Sequence, residues 1–183
     1  MQPQPTLTTD RLLLRPFTLD DAPAVQQLAG AIEIAEMTAS IPHPYEDGMA
    51  ETWIRGQKDR YARGEVANFA IVLRGNGRLI GSIGLRIESS HERAALGYWV
   101  GKPHWGHGYC TEAARAVLRY GFENLDLHRI YATHFARNPA SGRVMQKLGM
   151  VREGCLRQHL KKWDRFEDMV YYGLLRSQHE EDR

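Results

Sequence analysis

The order of its apolar patterns predicts an α+β fold for this chain, built around a mixed but mostly antiparallel sheet. Two apolar runs at residues 68–74 and 78–87 flank Asn76-Gly77, a strong hairpin signal because a tight turn needs positive φ. A third run at 94–101 follows a polar turn and extends the hairpin into a meander. The spacing becomes helical over 109–122 before another strand at 129–135, which predicts a βαβ unit in the second half.

The first half contributes the opening strand and two main helices. The leucine-rich run at 7–17 predicts the strand. Thr18 predicts a helix N-cap, with Asp20 and Asp21 in the first turn, where the helix dipole favours anions, and this helix runs towards Gly30. Residues 31–44 predict a short helix and a loop, and a longer helix covers 46–64.

The second half ends in a well-delimited helix and two further strands. Asn138 predicts the N-cap of that helix, Pro139 its first position and Gly149 its end. Strands are predicted at 151–158 and 168–175, before a charged tail. The patterns together predict about seven strands flanked by about four helices. No repeat or linker divides residues 1–183, so a single domain is expected.

Composition excludes several broad classes of protein. The 183 residues are 43% hydrophobic and 25% charged with a net charge of +2, which is typical of a globular domain and gives no signal for nucleic-acid binding. Cys110 and Cys155 match no disulfide framework and are interpreted as reduced thiols. No signal peptide and no apolar run of about 18 residues is visible, so a cytoplasmic location and no membrane partner are predicted.

The segment 97–113 carries the most chemical information. A strand leads into a loop with Gly106 and Gly108, and that loop opens a helix. Such a loop can direct several backbone N–H groups at one anion, backed by the positive end of the helix, and glycine lets a phosphate approach the backbone closely. A plain tight turn is the alternative. The third glycine of a dinucleotide fingerprint and the Gly-Lys-Ser/Thr of a P-loop are both absent.

The wider pattern resembles the GNAT acyltransferases, in particular their ribosomal-protein N-acetyltransferase (RimJ/RimL) branch. The similarity extends over nearly the whole chain. Its motifs are Thr9-Asp10-Arg11-Leu12, Gly81-Ser82-Ile83-Gly84, Trp105-Gly106-His107-Gly108-Tyr109, Thr111-Glu112-Ala113, Asn138-Pro139-Ala140-Ser141 and Lys147-Leu148-Gly149-Met150. The resemblance implies a GNAT-like fold with splayed central strands and acetyl-CoA as co-substrate, without a metal.

The resemblance also assigns residues to the cofactor. Backbone amides of the loop would hold the pyrophosphate, the strand before it would flank the pantetheine arm, and Asn138 would contact that arm. The implied cofactor-binding residues are Tyr98, Trp99, Val100, Trp105, Gly106, His107, Gly108, Tyr109, Cys110 and Asn138. Asn138 has a compatible structural role as an N-cap. His104, His107 and Cys110 lie at intervals of three. A zinc site normally has three or four protein ligands, and no second cluster completes the set, so no metal site is predicted.

Catalytic assignments follow the resemblance less closely, because two familiar positions differ. Many GNAT members carry a tyrosine acid where Met145 stands; Ser141, one turn earlier, matches the serine of the RimJ/RimL branch and becomes the candidate acid. The glutamate frequent in this branch is Ala95 here. The remaining candidates for the base are His134, Glu112, Glu88 and Glu33, of which His134 alone has a suitable unperturbed pKa. A packing role for His134 and a dipole role for Glu112 are the alternatives.

The predicted reaction is acetyl transfer from acetyl-CoA to a primary amine by direct attack on the thioester. At pH 7 an α-amino group is about 10–15% neutral and a lysine below about 0.1%, so a protein N-terminus or another weakly basic amine needs the least help from a base. The alternatives are a succinyl or other acyl-CoA transferase, and a non-catalytic acyl-CoA-binding regulatory module. A homodimer is frequent in the branch, but no residue decides the oligomeric state.

Overall fold

A computed structural model describes residues 3–181, and their strands form one eight-stranded sheet. Along the sheet the strands are ordered β1-β2-β3-β4-β5-β6-β8-β7, and only β5 and β6 are parallel neighbours. The mixed, mostly antiparallel sheet is therefore confirmed. The strands are β1 (Leu7–Thr8), β2 (Leu12–Arg15), β3 (Val66–Leu73), β4 (Leu79–Glu88), β5 (Arg93–Val100), β6 (Arg129–Phe135), β7 (Val151–Lys162) and β8 (Arg165–Leu175).

The same residues form six α-helices. These are α1 (Ala22–Ala29), α2 (Ile32–Ala35), α3 (Met49–Ala62), α4 (Tyr109–Glu123), α5 (Pro139–Lys147) and α6 (Arg176–Glu181). The four main predicted helices are present, as α1, α3, α4 and α5. The short helix expected in 31–44 is α2, whereas α6 lies in the tail that was predicted only as charged. The predicted opening strand is two strands, because a turn closed by the Thr9 N–H donating to the Leu12 carbonyl at 3.0 Å separates β1 from β2.

The parallel pair β5–β6 separates after only four residue pairs. Arg93 to Leu96 pair with Arg129 to Ala132, and there the pairing ends. Beyond that point β5 stays paired with β4 as far as Val100, and β6 with β8 as far as Phe135. The sheet therefore divides, and a cleft opens between residues 97–100 and 133–135. The predicted splay of the central strands is confirmed.

Each face of the sheet is covered by helices. On one face α4 packs its apolar side on β3–β6, around the buried side chains of Phe69, Ile83 and Val117. On the other face α1 and α3 pack on β3 and β4 through Val25, Ile54 and other apolar residues. Tyr98 lies at the margin of the first cluster and Trp99 at the margin of the second, since successive side chains of a strand point to opposite faces. Strand β5 thus presents side chains to the apolar clusters on both faces of the sheet.

Within residues 3–181 no helix is long and apolar enough to cross a membrane. Cys110 is half-buried and Cys155 exposed, and both are free thiols. Among those same residues no three His, Cys, Asp or Glu side chains are grouped so that they could hold a metal ion.

Candidate functional site

A cavity of about 1110 Å³ occupies the cleft between the separated strands. It reaches from the loop before α4, past the start of α5, to the segment that follows α2. Most of the predicted site residues line it: Tyr98, Trp99, Val100, Trp105, Gly106, Gly108, Tyr109, Cys110, His134, Asn138 and Ser141. His107 and Glu112 are the two that do not line it.

The loop before α4 has the backbone of an anion cradle. Gly106 and Gly108 have φ of +79° and +77°, in the left-handed region that favours glycine. Gly108 is the N-cap of the fifteen-residue helix α4, and it has no side chain with which to cap the helix. The first amides of α4 are therefore available to a ligand, at the positive end of the helix dipole. The tight turn is therefore compatible with the predicted anion site.

The side chains of the loop stabilise its shape. Trp105 is 48% exposed, and its indole Nε1–H donates to the Val100 carbonyl at 2.5 Å. His107 Nδ1 donates to the Trp105 carbonyl at 2.8 Å, and its ring stacks on Tyr109 at 5.5 Å. Cys110 follows in the first turn of α4, and burial raises the pKa of its thiol to about 12. This thiol stays protonated near neutral pH and is a poor nucleophile there.

Glu112 is held outside the cavity by the opening strands. Its carboxylate accepts from Thr9 Oγ1 at 2.6 Å, from the Arg11 N–H at 2.9 Å and from Arg11 Nε at 2.7 Å. Burial raises the pKa of this carboxyl, but the hydrogen bonds from Thr9 and Arg11 outweigh burial, so its pKa is lowered overall. These contacts give Glu112 a structural role, joining the β1–β2 turn to α4, and they do not support the catalytic role considered for it.

The start of α5 places Ser141 against β5. Asn138 caps the helix, its Oδ1 accepting the Ser141 N–H at 3.3 Å, as the sequence predicted. The Tyr98 hydroxyl lies 2.8 Å from the Ser141 hydroxyl and 3.2 Å from the Ser141 carbonyl oxygen, so its single proton can be donated to either oxygen. Burial, with a smaller contribution from Cys110, raises the pKa of Tyr98 far above its ordinary value. The pairing of these two hydroxyls across the cleft is a feature that the sequence pattern did not reveal.

His134 lines the cavity from β6 but is firmly packed. It is only 9% exposed, and its Nδ1 donates to the Phe135 carbonyl at 2.8 Å. Its other nitrogen faces α5, where a Cβ on Gly142 would come within 2.9 Å of Nε2. Packing therefore accounts for much of its environment, and its role as a base stays a prediction.

The other candidate bases have partners. Glu33 lines the cavity and pairs with Lys102 Nζ at 2.5 Å, and Lys102 lowers its pKa. Glu88 lies outside the cavity lining, paired with Arg93 at 2.6 Å and accepting from the Tyr131 hydroxyl at 2.8 Å. Arg93 and then Tyr131 lower the pKa of Glu88, which makes it a weaker base.

The two positions that depart from the family pattern have distinct surroundings. Met145 is 1% exposed in the core and does not reach the cleft. Ala95 of β5 is in register with Arg86 of β4 on one side and with Tyr131 of β6 on the other.

The segment after α2 closes the far side of the cavity. Residues 37–42 contribute to the lining there. Arg137 pairs with the buried Glu167 at 2.9 Å and also donates to the Glu36 carbonyl. Lys162 Nζ donates to the Ile41 carbonyl at 2.6 Å, and burial, with Arg137 nearby, lowers its pKa. These anchors come from the strand hairpin β7–β8 and the end of β6, a long-range arrangement for which the sequence offered no signal.

Comparisons with known proteins confirm the predicted family and fold. Residues 11–151 match the family described as "Acetyltransferase (GNAT) domain". An uncharacterized N-acetyltransferase p20 of Bacillus licheniformis is 31% identical over 95% of this chain and 98% of its own length. A crystal structure of a GNAT-family acetyltransferase from Bacillus anthracis superposes with a TM-score of 0.83, at 29% identity over 94% of this chain and 99% of that one.

A third match concerns the fold alone. RimJ of Mycobacterium smegmatis, solved in complex with CoA-disulfide, has a TM-score of 0.85 to this chain at 24% identity, covering 96% of this chain and 90% of that one.

Proposed function

Because this chain belongs to the GNAT family of acetyltransferases, we propose that it transfers the acetyl group of acetyl-CoA to a primary amine, either a protein N-terminal α-amine or that of a small molecule. The observation that carries the proposal is the single cavity that connects the Gly106–Gly108 loop with Ser141 across the divided strands. The loop suits the pyrophosphate and the cleft suits the pantetheine arm. The thioester would then lie near Ser141, facing the closed far side of the cavity.

The reaction needs few protein groups. The neutral amine attacks the thioester carbonyl carbon, and a backbone N–H of β5 polarises the carbonyl oxygen as charge develops on it. The C–S bond then breaks, the amine nitrogen loses a proton, and the leaving thiolate gains one. Ser141 would donate that proton and take one from Tyr98, 2.8 Å away, and the proton released by the amine, passed on by solvent, would restore the Tyr98 hydroxyl. His134 or a water molecule would accept the proton from the amine.

Binding is the first test of the proposal. Calorimetry and thermal unfolding with acetyl-CoA, succinyl-CoA and free CoA should show specific binding of acetyl-CoA, with a stability gain of about 2.7 kcal/mol at a hundred times Kd. A screen of amines and N-terminal peptides by free-thiol release then measures turnover. Stronger binding of succinyl-CoA would favour the other acyl group. Binding without turnover of any amine would favour a regulatory module, and no binding of any CoA species would refute the proposal.

Two further expectations remain predictions. The oligomeric state is tested by size-exclusion chromatography with light scattering, in which a homodimer would have twice the chain mass of 20.9 kDa. Localisation of a tagged chain tests the predicted cytoplasmic location.

A further inference from the structure

The charges around the cavity are strongly unequal. Glu33 is the one carboxylate that lines it within the described part of the chain, and it is already paired with Lys102. The lining cations are more numerous: Arg60, Arg86, Arg137, Arg143 and Lys147. A cavity of this character attracts anions and repels polycations.

Some of these cations have carboxylate partners in the protein. Arg137 pairs with Glu167 at 2.9 Å, and Arg60 lies 3.5 Å from Glu65. The ion pairs formed within residues 3–181 include neither Arg86 nor Arg143 nor Lys147.

Two of the remaining cations lie on the cofactor side. Arg143 and Lys147 belong to α5, which packs against α4 behind the glycine loop. Arg115 of α4 donates to the Lys147 carbonyl, which fixes this proximity. Both side chains are therefore suited to the phosphates of CoA. Arg86 is left without an assignment.

Arg86 lies at the opposite end of the cavity. It is in register with Ala95, and Val100, which leads into the glycine loop, is five residues further along β5, about 17 Å for an extended strand. Its side chain shares a face of β4 with Ser82, which also lines the cavity. Arg86 is exposed, and its one hydrogen bond among the described residues is a long one, from Nη2 to the Tyr131 hydroxyl at 3.5 Å. Glu88 is close enough to be influenced by Arg86, but its oxygens bind Arg93 and Tyr131.

We infer that the acceptor carries a carboxylate a few bonds from its reacting amine, and that Arg86 binds this carboxylate. The inference rests on the proposed function and narrows its substrate class. A guanidinium presents a planar pair of donors that matches a carboxylate, and Arg86 is exposed and therefore accessible to one. Small amino acids and peptides with an acidic residue next to their N-terminus share this chemistry. Polyamines lack it and would meet the excess of cations.

Matched acceptors test the inference directly. One pair is β-alanine and β-alaninamide, and the other is the peptides Ser-Asp-Ala-amide and Ser-Asn-Ala-amide, so that each pair differs by a single carboxylate. Free-thiol release gives kcat/KM for each acceptor and for spermidine. The anionic member of at least one pair should be preferred about 10- to 100-fold, the range of a hydrogen bond to a charged group. A preference in the first pair alone identifies a small acceptor, and one in the second alone a peptide N-terminus.

Variants connect the preference to one side chain. Arg86→Gln should abolish it and Arg86→Glu should reverse it, with the Kd of acetyl-CoA unchanged as evidence of an intact fold. Arg119→Gln removes the same charge from an exposed position of α4 outside the cavity lining and should leave the preference intact. Equal kcat/KM within both pairs, a preference for spermidine, or a preference that survives Arg86→Gln would overturn the inference while the acetyltransferase activity stands. Turnover of no amine at all would instead refute the proposed function, and this inference with it.

Discussion

At the scale of single residues, the contact between Tyr98 and Ser141 bears on the proposed role of the serine as an acid. A hydroxyl has one proton, so if Ser141 gives it to the departing sulfur as proposed, the serine oxygen must take up another. Tyr98 lies 2.8 Å away and has a strongly raised pKa, so it stays protonated throughout the physiological range. It can therefore donate to Ser141 while Ser141 donates to the thiolate.

Removal of either hydroxyl should slow the reaction without weakening the binding of acetyl-CoA. Ser141→Ala should lower kcat about 100-fold, the usual contribution of a general acid, with the Kd of acetyl-CoA almost unchanged. Tyr98→Phe keeps the ring and should give a smaller loss. Because the pKa of Tyr98 is raised, no basic limb from its ionisation is expected in the kcat–pH profile below pH 10. A normal kcat in Ser141→Ala would leave that serine only its structural place in the first turn.

Sequence reasoning succeeded for residues whose role depends on their near neighbours. Asn138 caps α5 and Gly106 has a left-handed backbone, and both properties can be read from a few adjacent positions. Tyr98 and Ser141 are 43 positions apart, and Arg86 stands beside Ala95 only because β4 and β5 pair in that register. These long-range contacts depend on tertiary structure, so no local sequence pattern predicts them.

At the scale of elements, the glycine loop and the β3–β4 hairpin form a natural control pair. Gly106 and Gly77 have φ of +79° and +71°, and a Cβ built on either would meet nothing within 4 Å. Alanine should therefore cost each site about 1–2 kcal/mol of backbone strain.

Only the change in the loop should affect the cofactor. Gly106→Ala should weaken acetyl-CoA binding about tenfold or more, since it perturbs backbone donors to a charged group. Gly77→Ala should lower Tm by about as much as Gly106→Ala does, but it should leave the Kd of acetyl-CoA unaltered. Calorimetry and thermal unfolding of both variants provide the comparison, and an equal Kd in the two would remove the loop from the pyrophosphate site.

The link between the β1–β2 turn and α4 predicts a dependence of stability on pH. The folded-state pKa of Glu112 is lowered, so its contribution to stability is present above the unfolded pKa of about 4.3 and is lost as pH falls through the folded value. Glu112→Gln should reduce the free energy of unfolding at pH 7 by about 1–2 kcal/mol and flatten its fall below pH 5. The variant should keep its kcat, and a large loss of kcat at unchanged stability would restore a catalytic role.

The elements that sequence reasoning missed or shortened are those stabilised from outside their own pattern. β7 was predicted to end at 158, but it extends to Lys162. The prediction was too short because the side chains of β7 are mostly exposed and show little alternation. α6 is polar, and Arg176, at its start, donates to the Leu127 carbonyl at 2.8 Å. The well-buried strands and α4, by contrast, have apolar periodicities that predicted them closely.

At the scale of the whole molecule, the far side of the cavity, which the proposed thioester would face, depends on contacts between distant parts of the chain. Arg137 and Lys162 hold the carbonyls of Glu36 and Ile41, so the segment between them is fixed from the opposite half of the sheet. The loop lining the cavity has no regular structure of its own over residues 37–42. These two cations help to fix its position, and with it the shape that the proposed acceptor would meet.

Loss of an anchor should affect the acceptor and spare the cofactor. Lys162→Met should raise the KM for the acceptor about tenfold, as expected for the loss of a hydrogen bond from a charged group, with the Kd of acetyl-CoA unchanged. Arg137→Gln should do the same and also lower Tm, because it leaves the buried Glu167 carboxylate without its partner. Arg152→Gln, an exposed change on β7 outside the cavity lining, serves as the control. An unchanged acceptor KM in both anchor variants would separate this segment from acceptor binding.

The early separation of β5 from β6 has a consequence for the exchange of backbone hydrogens with solvent. Residues 97–100 and 133–135 border the cleft, and the edges that face it lack the strand-to-strand pairing that continues up to Leu96 and Ala132. Amides on those edges should exchange deuterium quickly in the free protein, although they lie at the centre of the sheet. An occupant of the cleft that makes strand-like contacts would slow them selectively, so deuterium uptake at these few positions would report how fully the cofactor completes the sheet.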